Sequence, residues 1–507
     1  MPNVWMPDLM KDIPRGNTAK YLWQQEQPKA HWQKPQAIYN SAALTYDPKN
    51  PQGKILFGAL GDKLIGIADD RHILTVAGSR AGKTLTVDAN LFFYDGNAVV
   101  VDPKGKSAMT TACARAALGQ AIYIIDPFNT VTGEAAQYRC GFNFLDRLKH
   151  ANNHIIEDVI DIVDAVIKTT GQEKDPHWDE AAGEFLGGLV LHIRFSPAIS
   201  DEDRHLGTVQ RQLMRALSPT SEEDPTPALQ NAMLDTAEAV AKQGYEDIAH
   251  FISDSAVSFY EKADTERSSV LSTLRRHMKF LSFPAMRALS SKNSFDLQDL
   301  KRLQNGMTVY LVLPATRMGV CSRFLRLFIN SLLADMERVS EAPKHPVLLI
   351  LDEFTVLGYM RQLEDAIGQM ASFDMKLWVI LQDWGQGKAL YKDRFESFAA
   401  NAGILQAFGN VDQTTTEYLS SRLGKTPVMT ATAREVDSGA RGKGLTGRDE
   451  RLEQFSLATP DEISRLFSRA DPLKRQLILQ AGYSPYIIQR VEHYRNDDPV
   501  GQYLAAH

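Results

Sequence analysis

Lys83 and Thr84 close the stretch Ala77-Gly78-Ser79-Arg80-Ala81-Gly82-Lys83-Thr84, which directly follows the apolar run Ile73-Leu74-Thr75-Val76. These residue types suit the holding of phosphates. Gly78 and Gly82 let backbone N–H groups curl around an anion with no Cβ in the way. Apolar residues at Leu85, Val87, Leu91 and Phe92 have helical spacing. The spacing predicts a helix whose N-terminal dipole faces the bound anion. Lys83 then reaches the β- and γ-phosphates of a nucleotide, and the Thr84 hydroxyl holds Mg²⁺. The segment reads as a Walker A loop with Ala77 at the position where Gly is usual.

A second constellation lies far downstream. Val347-Leu348-Leu349-Ile350-Leu351-Asp352-Glu353 is a buried-strand pattern ending in two carboxylates, a Walker B element. Asp352 is expected to bind Mg²⁺ and Glu353 to act as general base on the attacking water. Gln382 ends another apolar strand, 376–381, and suits a polar sensor of the γ-phosphate. Walker A, Walker B and a strand ending in Gln describe a RecA-like ATP hydrolase using ATP and Mg²⁺. Such motors work as rings completed by an arginine of the neighbouring subunit. Arg267, Arg317 and Arg323 are candidates, with none singled out.

Positioning these groups requires a sheet with its carboxyl ends on one side. Short apolar runs at 73–76, 98–101, 121–125, 307–313, 346–351, 376–381 and 403–408 alternate with helical patterns. That alternation predicts a parallel sheet covered on both faces, with ligands at the carboxyl ends. Asp102 and Asp126 also stand just beyond strand ends. A late strand pair is expected at 476–480 and 485–491. From about 145 to 295 the pattern becomes helical and strand-free; Ile155, Ile156, Val159, Ile160, Ile162, Val163, Val166 and Ile167 follow a 3.6-residue period. The expected fold class is α/β: a RecA-like P-loop NTPase domain with a parallel central sheet, plus an inserted all-α domain. The division reads as an irregular arm (1–50), the nucleotide-binding domain (51–147 and 297–507) and the insertion (148–296). The arm carries Trp5, Trp23 and Trp32 as anchors, more naturally on its own domain than on a neighbour. Residues 430–449 read as an exposed mobile loop. Thr459-Pro460-Asp461-Glu462 reads as a capped helix start.

The totals bound the rest. A chain of 507 residues suits two to four domains, and 44% hydrophobic with 23% charged residues is a soluble composition. The net charge of -6 does not advertise a nucleic-acid binder, although a narrow basic channel can sit inside an acidic protein. Cys113, Cys140 and Cys321 have no metal-ligand spacing, and a reducing cytoplasm is the simplest setting. No run approaches the roughly 18 apolar residues of a membrane-spanning helix, and the first residues have no signal-peptide apolar region.

The ordered segments resemble the TraG-type coupling proteins of conjugation and type IV secretion. Val101-Asp102-Pro103-Lys104-Gly105-Lys106 is similar to the family's Asp-Pro-Lys-Gly-Glu segment, with Lys106 where Glu is usual. Tyr123-Ile124-Ile125-Asp126-Pro127-Phe128, Phe142-Asn143-Phe144-Leu145 and His177-Trp178-Asp179-Glu180-Ala181-Ala182 are similar to its next segments. Leu351-Asp352-Glu353-Phe354, Leu381-Gln382 and Leu457-Ala458-Thr459-Pro460-Asp461-Glu462 complete the series, so the resemblance runs from about 55 to 490. It implies a hexameric ATPase at the cytoplasmic face of the bacterial inner membrane. Such an enzyme takes a relaxase-bound single DNA strand, protein effectors or both into a secretion channel, with the all-α domain facing cargo. Typical members begin with two membrane-spanning helices. This sequence has none, so membrane contact is expected through a partner or a missing N-terminal segment. Lys104, Lys106, Arg441, Lys443, Arg448 and Arg451 are candidates for gripping phosphates in a pore. Two alternatives remain: a soluble FtsK/HerA-like DNA-translocating motor, which a neighbouring nuclease gene would favour, and a nucleotide-locked module recruiting protein cargo without a response to DNA.

Overall fold

The computed structural model describes residues 30–148, 154–167, 176–433 and 448–506. Thirteen strands are found among them. In chain order they are β1 (Ile55–Leu60), β2 (Lys63–Ile67), β3 (His72–Ala77), β4 (Ala98–Val101), β5 (Ala121–Ile125), β6 (Met307–Leu311) and β7 (Val347–Leu351). There follow β8 (Met375–Leu381), β9 (Ala402–Phe408), β10 (Lys425–Ala433), β11 (Arg448–Ser456), β12 (Arg475–Gln480) and β13 (Tyr486–Gln489). Eleven of them form one sheet in the order β2-β1-β13-β12-β9-β3-β8-β7-β4-β6-β5.

From β9 to β5 every pairing is parallel. β3, β4, β6, β7 and β8 are buried along their whole length. Strands covered on both faces read as nearly continuous apolar runs rather than alternating ones; the exceptions, His72, Thr75, Thr308 and Lys376, are buried as well. On one face, Val87 and Leu91 of the helix Lys83–Phe93 and Ala108 and Ala112 of Lys106–Ala117 pack against Val100, Ile350 and Trp378. On the other face, the helix Met318–Arg338 and the helical stretch share one core with Leu74, Val76 and Val99.

The sheet differs from expectation beyond β9. β12, β13, β1 and β2 extend it antiparallel, so it is mixed rather than wholly parallel. The β1–β2 hairpin is additional to the expected strands. Leu60 pairs with Lys63, leaving the two-residue loop Gly61-Asp62, a recognised hairpin signal. The expected late pair is present as β12 and β13.

No strand occurs between β5 and β6 among the described residues. The helices there include Ile155–Ile167, Pro176–Phe195, Leu206–Met214, Ala228–Ala241, Glu246–Tyr260 and Asp264–His277. Phe185 stacks on Phe259 at 3.8 Å in their interior. The arm is less irregular than expected from residue 30 onward. It forms a short helix, Pro35–Tyr39, with Ile38 fully buried, and Trp32 meets the Phe467 ring edge-on at 6.5 Å. Ala30 N donates to Lys425 O and Gln33 N to Pro485 O, so this part packs on its own chain. Trp5 and Trp23 lie outside the described residues. Thr430–Ala433 and Arg448–Asp449 correct the expected loop: they are paired in the ribbon β10–β11, and 434–447 lie outside the described residues. Thr459 caps Pro460–Leu466 through a complete capping box with Glu462.

Candidate nucleotide site

The carboxyl ends of β3, β7 and β8 lie side by side. Val76 pairs with Leu381 and Leu351 with Val379, which places the phosphate loop, Asp352-Glu353 and Gln382 on one edge. Gly78 is required by close approach. Its N–H donates to Phe408 O at 3.1 Å, and a Cβ there would lie 1.9 Å from Gly409 O. Arg80 takes a left-handed conformation at the loop tip (φ 58°). The helix Lys83–Phe93 begins at Gly82 with no acidic residue in its first turn, so its N-terminus stays open to an anion. The Lys83 Nζ folds back to donate to Ala77 O at 3.2 Å.

Two polar contacts frame this loop. Thr84 Oγ1 donates to Asp352 Oδ2 at 3.4 Å, a facing pair of hard oxygen donors of the kind Mg²⁺ prefers. Gln382 Nε2 donates to Glu353 Oε1 at 2.9 Å. Glu353 itself sits in the left-handed region (φ 68°, ψ 52°). The conformation costs a non-glycine residue about 1–2 kcal/mol, and such strain is characteristic of functional positions. Burial lowers the pKa of Lys83, opposed by Glu353 and Asp352. Burial raises that of Asp352, as does Glu353, while Lys83 and Lys104 oppose the rise. One lysine and two carboxylates thus hold each other in a partly dry site. An open helix N-terminus, a cradle with no room for a Cβ, a lysine and a hydroxyl–carboxylate pair fit a Mg²⁺–nucleoside triphosphate.

Other expected groups are arranged differently. Asp102 turns inward: its carboxylate accepts from Lys106 N (3.2 Å) and Ala108 N (2.9 Å), holding the start of Lys106–Ala117. Asp126 likewise accepts from Thr130 N (3.0 Å) and Val131 N (2.8 Å). Lys104 and Lys106 are exposed, and the Lys104 charge acts on both Lys83 and Asp352, beside the phosphate loop. Arg267 is engaged with Tyr260 O and Asp264, and Arg323 with Val166 O and His277. Arg317 is exposed and stacks on the Phe128 ring at 4.8 Å. Arg441 and Lys443, and the side chains of Arg448 and Arg451, lie outside the described residues.

Two supports were not anticipated from the sequence. Arg490, at the end of β13, donates to Ala81 O (3.0 Å) and Ser468 O (3.2 Å) and stacks over Phe408 at 5.3 Å. Asn410 donates to Gln382 O at 3.4 Å. Both act on backbone carbonyls distant in sequence, for which no local pattern exists.

Comparison with known proteins gives a consistent result. Residues 24–505 match the family model described as "Type IV secretory system Conjugative DNA transfer". The chain is 25% identical to a conjugal transfer protein TraG of Escherichia coli over 78% of this chain and 61% of that protein. It is 27% identical to a type IV secretion system-coupling protein VirD4 of Bartonella henselae, over 84% of this chain and 63% of the relative. The chain thus spans about three fifths of the length of these relatives. In fold it is similar to the plasmid coupling protein TrwB in complex with the ATP analogue ADPNP. The TM-score is 0.60 at 12% identity, covering 92% of this chain and 95% of that one. Among the described residues no helix is long and apolar enough to cross a membrane.

Proposed function

This chain belongs to the type IV secretory system conjugative DNA transfer family, and from that premise we propose that it is a coupling-protein ATPase. It receives a relaxase-bound single DNA strand, protein effectors or both, and drives them into a type IV secretion channel. The carrying observation is the meeting of Thr84 with Asp352 and of Gln382 with Glu353 at one edge of the sheet, around the phosphate loop.

In this reading the loop from Ala77 to Thr84 (Ala77, Gly78, Ser79, Arg80, Ala81, Gly82) wraps the phosphates with its N–H groups. Lys83 neutralises the β- and γ-phosphates, leaving Ala77 O to do so. Thr84 and Asp352 hold Mg²⁺, which supplies charge neutralisation to the phosphoryl oxygens when bound. Glu353 accepts the proton of the attacking water. Gln382 fixes the Glu353 carboxylate through its Nε2–H, so a change at the γ-phosphate reaches the base through one hydrogen bond. The active form is a homo-hexamer at the cytoplasmic face of the bacterial inner membrane, with membrane contact through a partner or an N-terminal segment. The helical stretch 148–296 is a unit facing cargo, between the two parts of the nucleotide-binding domain (51–147 and 297–507). The test is Mg²⁺-dependent ATP hydrolysis by the purified chain, lost in Lys83→Ala and Glu353→Gln. Turnover undiminished in both variants contradicts the reading.

A further inference from the structure

Glu353 presents its carboxylate from a strained backbone, and strain of this kind persists only where the surroundings over-determine it. The segment that follows is a single turn, Phe354–Leu357, ending at Gly358. Arg326, half-buried on the helix Met318–Arg338, grips that turn from outside. Its Nε donates to Leu357 O at 3.2 Å and its Nη2 to Tyr359 O at 3.0 Å. One rigid guanidinium therefore holds the carbonyls on both sides of Gly358. Gly358 has φ 67°, and a Cβ there would stand 3.0 Å from Arg326 Nη2. Glycine thus serves both the turn and the approach of the guanidinium.

The helix that carries Arg326 is itself fixed. Arg323, one turn earlier, donates to Val166 O and pairs with His277, which faces Asp179 at 3.3 Å. Phe324, Leu325 and Phe328 are buried in the main core. The line Asp179, His277, Arg323, Arg326 therefore runs from the Trp178-Asp179 segment to the turn beside Glu353. A lysine in place of Arg326 has a single ammonium and cannot present two N–H groups in one rigid plane.

We propose that Arg326 is a positioning residue of the hydrolytic site: its two-pronged grip on Leu357 O and Tyr359 O holds Glu353 in register with Gln382. It touches neither nucleotide nor reacting atoms. The inference rests on the reading of Glu353 as general base.

The experiment compares wild type with Arg326→Ala, Arg326→Lys and Gly358→Ala. Each is measured for kcat and KM of ATP hydrolysis, affinity for a fluorescent ATP analogue, and thermal melting. A displacement of the base by about 1 Å costs on the order of a hundredfold, so Arg326→Ala should lower kcat by about ten- to a hundredfold. KM and analogue affinity should stay within about twofold, because uniform nucleotide binding is untouched. Arg326→Lys should recover part of kcat, and Gly358→Ala should reproduce the loss with Arg326 intact. If Arg326→Ala does not fold, the other two variants carry the test. Wild-type kcat in Arg326→Ala and Gly358→Ala overturns the inference, as does a loss of affinity and melting temperature in proportion to kcat. A wild type that does not hydrolyse ATP overturns the hydrolytic reading instead, and the inference falls with it.

Discussion

Replacing Gly78 by Ala tests whether the phosphate loop is set by its contact with the end of β9. The new Cβ would lie 1.9 Å from Gly409 O and 2.8 Å from its carbonyl carbon, both backbone atoms. Real Cβ contacts essentially never fall below 3.0 Å, so the loop and the β9 end must part by about 1.1 Å. The Gly78 N–H to Phe408 O bond opposes that separation. A displacement near 1 Å in a positioning element costs on the order of a hundredfold, or about 2.7 kcal/mol. The assay is kcat/KM of ATP hydrolysis, beside a melting curve and far-ultraviolet circular dichroism to establish folding. A folded Gly78→Ala protein whose kcat/KM stays within about twofold of wild type would refute the reasoning.

Other expectations follow from the same geometry. Thr84→Ala removes the hydroxyl that faces Asp352; with these two oxygens holding Mg²⁺ as proposed, the Mg²⁺ concentration for half-maximal hydrolysis should rise by about tenfold, one protein ligand among few. An unchanged Mg²⁺ requirement would place the metal elsewhere. Phe185→Ala empties the ring stacked on Phe259 in the helical stretch and should cost about 3–5 kcal/mol in denaturant unfolding; a loss below about 1 kcal/mol would mean that the site collapses to fill the space. Burial holds the His192 imidazole down at about 4, against an ordinary value of 6.5. Its unfolded form binds the proton first, so this group's contribution is full above 6.5 and is lost as pH falls towards 4. Between pH 7.5 and pH 5 it should account for about 2 kcal/mol of lost stability. His192→Gln should flatten the pH dependence by that amount, and a parallel pH profile would contradict it.

What could be read from the sequence was what local chemistry makes legible. β7 is apolar along its full length and β3 over most of its own because both faces of a parallel sheet are covered, and each leads into residues with a recognisable use. β1 and β2 escaped because Gly58 and Gly66 interrupt their apolar runs, although Gly61-Asp62 between them carried a hairpin signal. Of the strand-end carboxylates, Asp352 was legible as a metal ligand through the Glu353 beside it, whereas the inward turn of Asp102 and Asp126 was not legible. Asp102 and Asp126 look like Asp352 in sequence, yet nearby backbone N–H groups capture the first two, whereas Asp352 faces Thr84. Arg326 and Arg490 were invisible because a side chain that donates to a distant carbonyl leaves no periodicity or spacing behind. Arg267, Arg317 and Arg323 look alike in sequence for a related reason: that Arg267 is engaged within the helical stretch, that Arg323 reaches from Met318–Arg338 to Val166 O and His277, and that Arg317 is exposed leaves no local trace.

The central claim is that hydrolysis at this site drives DNA. It is tested most directly by the ATPase rate of the purified chain with and without single-stranded DNA, at low and high salt, beside Lys83→Ala. The account predicts Mg²⁺-dependent turnover that rises with DNA, loses that rise at high salt as phosphate contacts are screened, and vanishes in Lys83→Ala. Turnover that is indifferent to DNA at both salt concentrations, or that persists in Lys83→Ala, would contradict it.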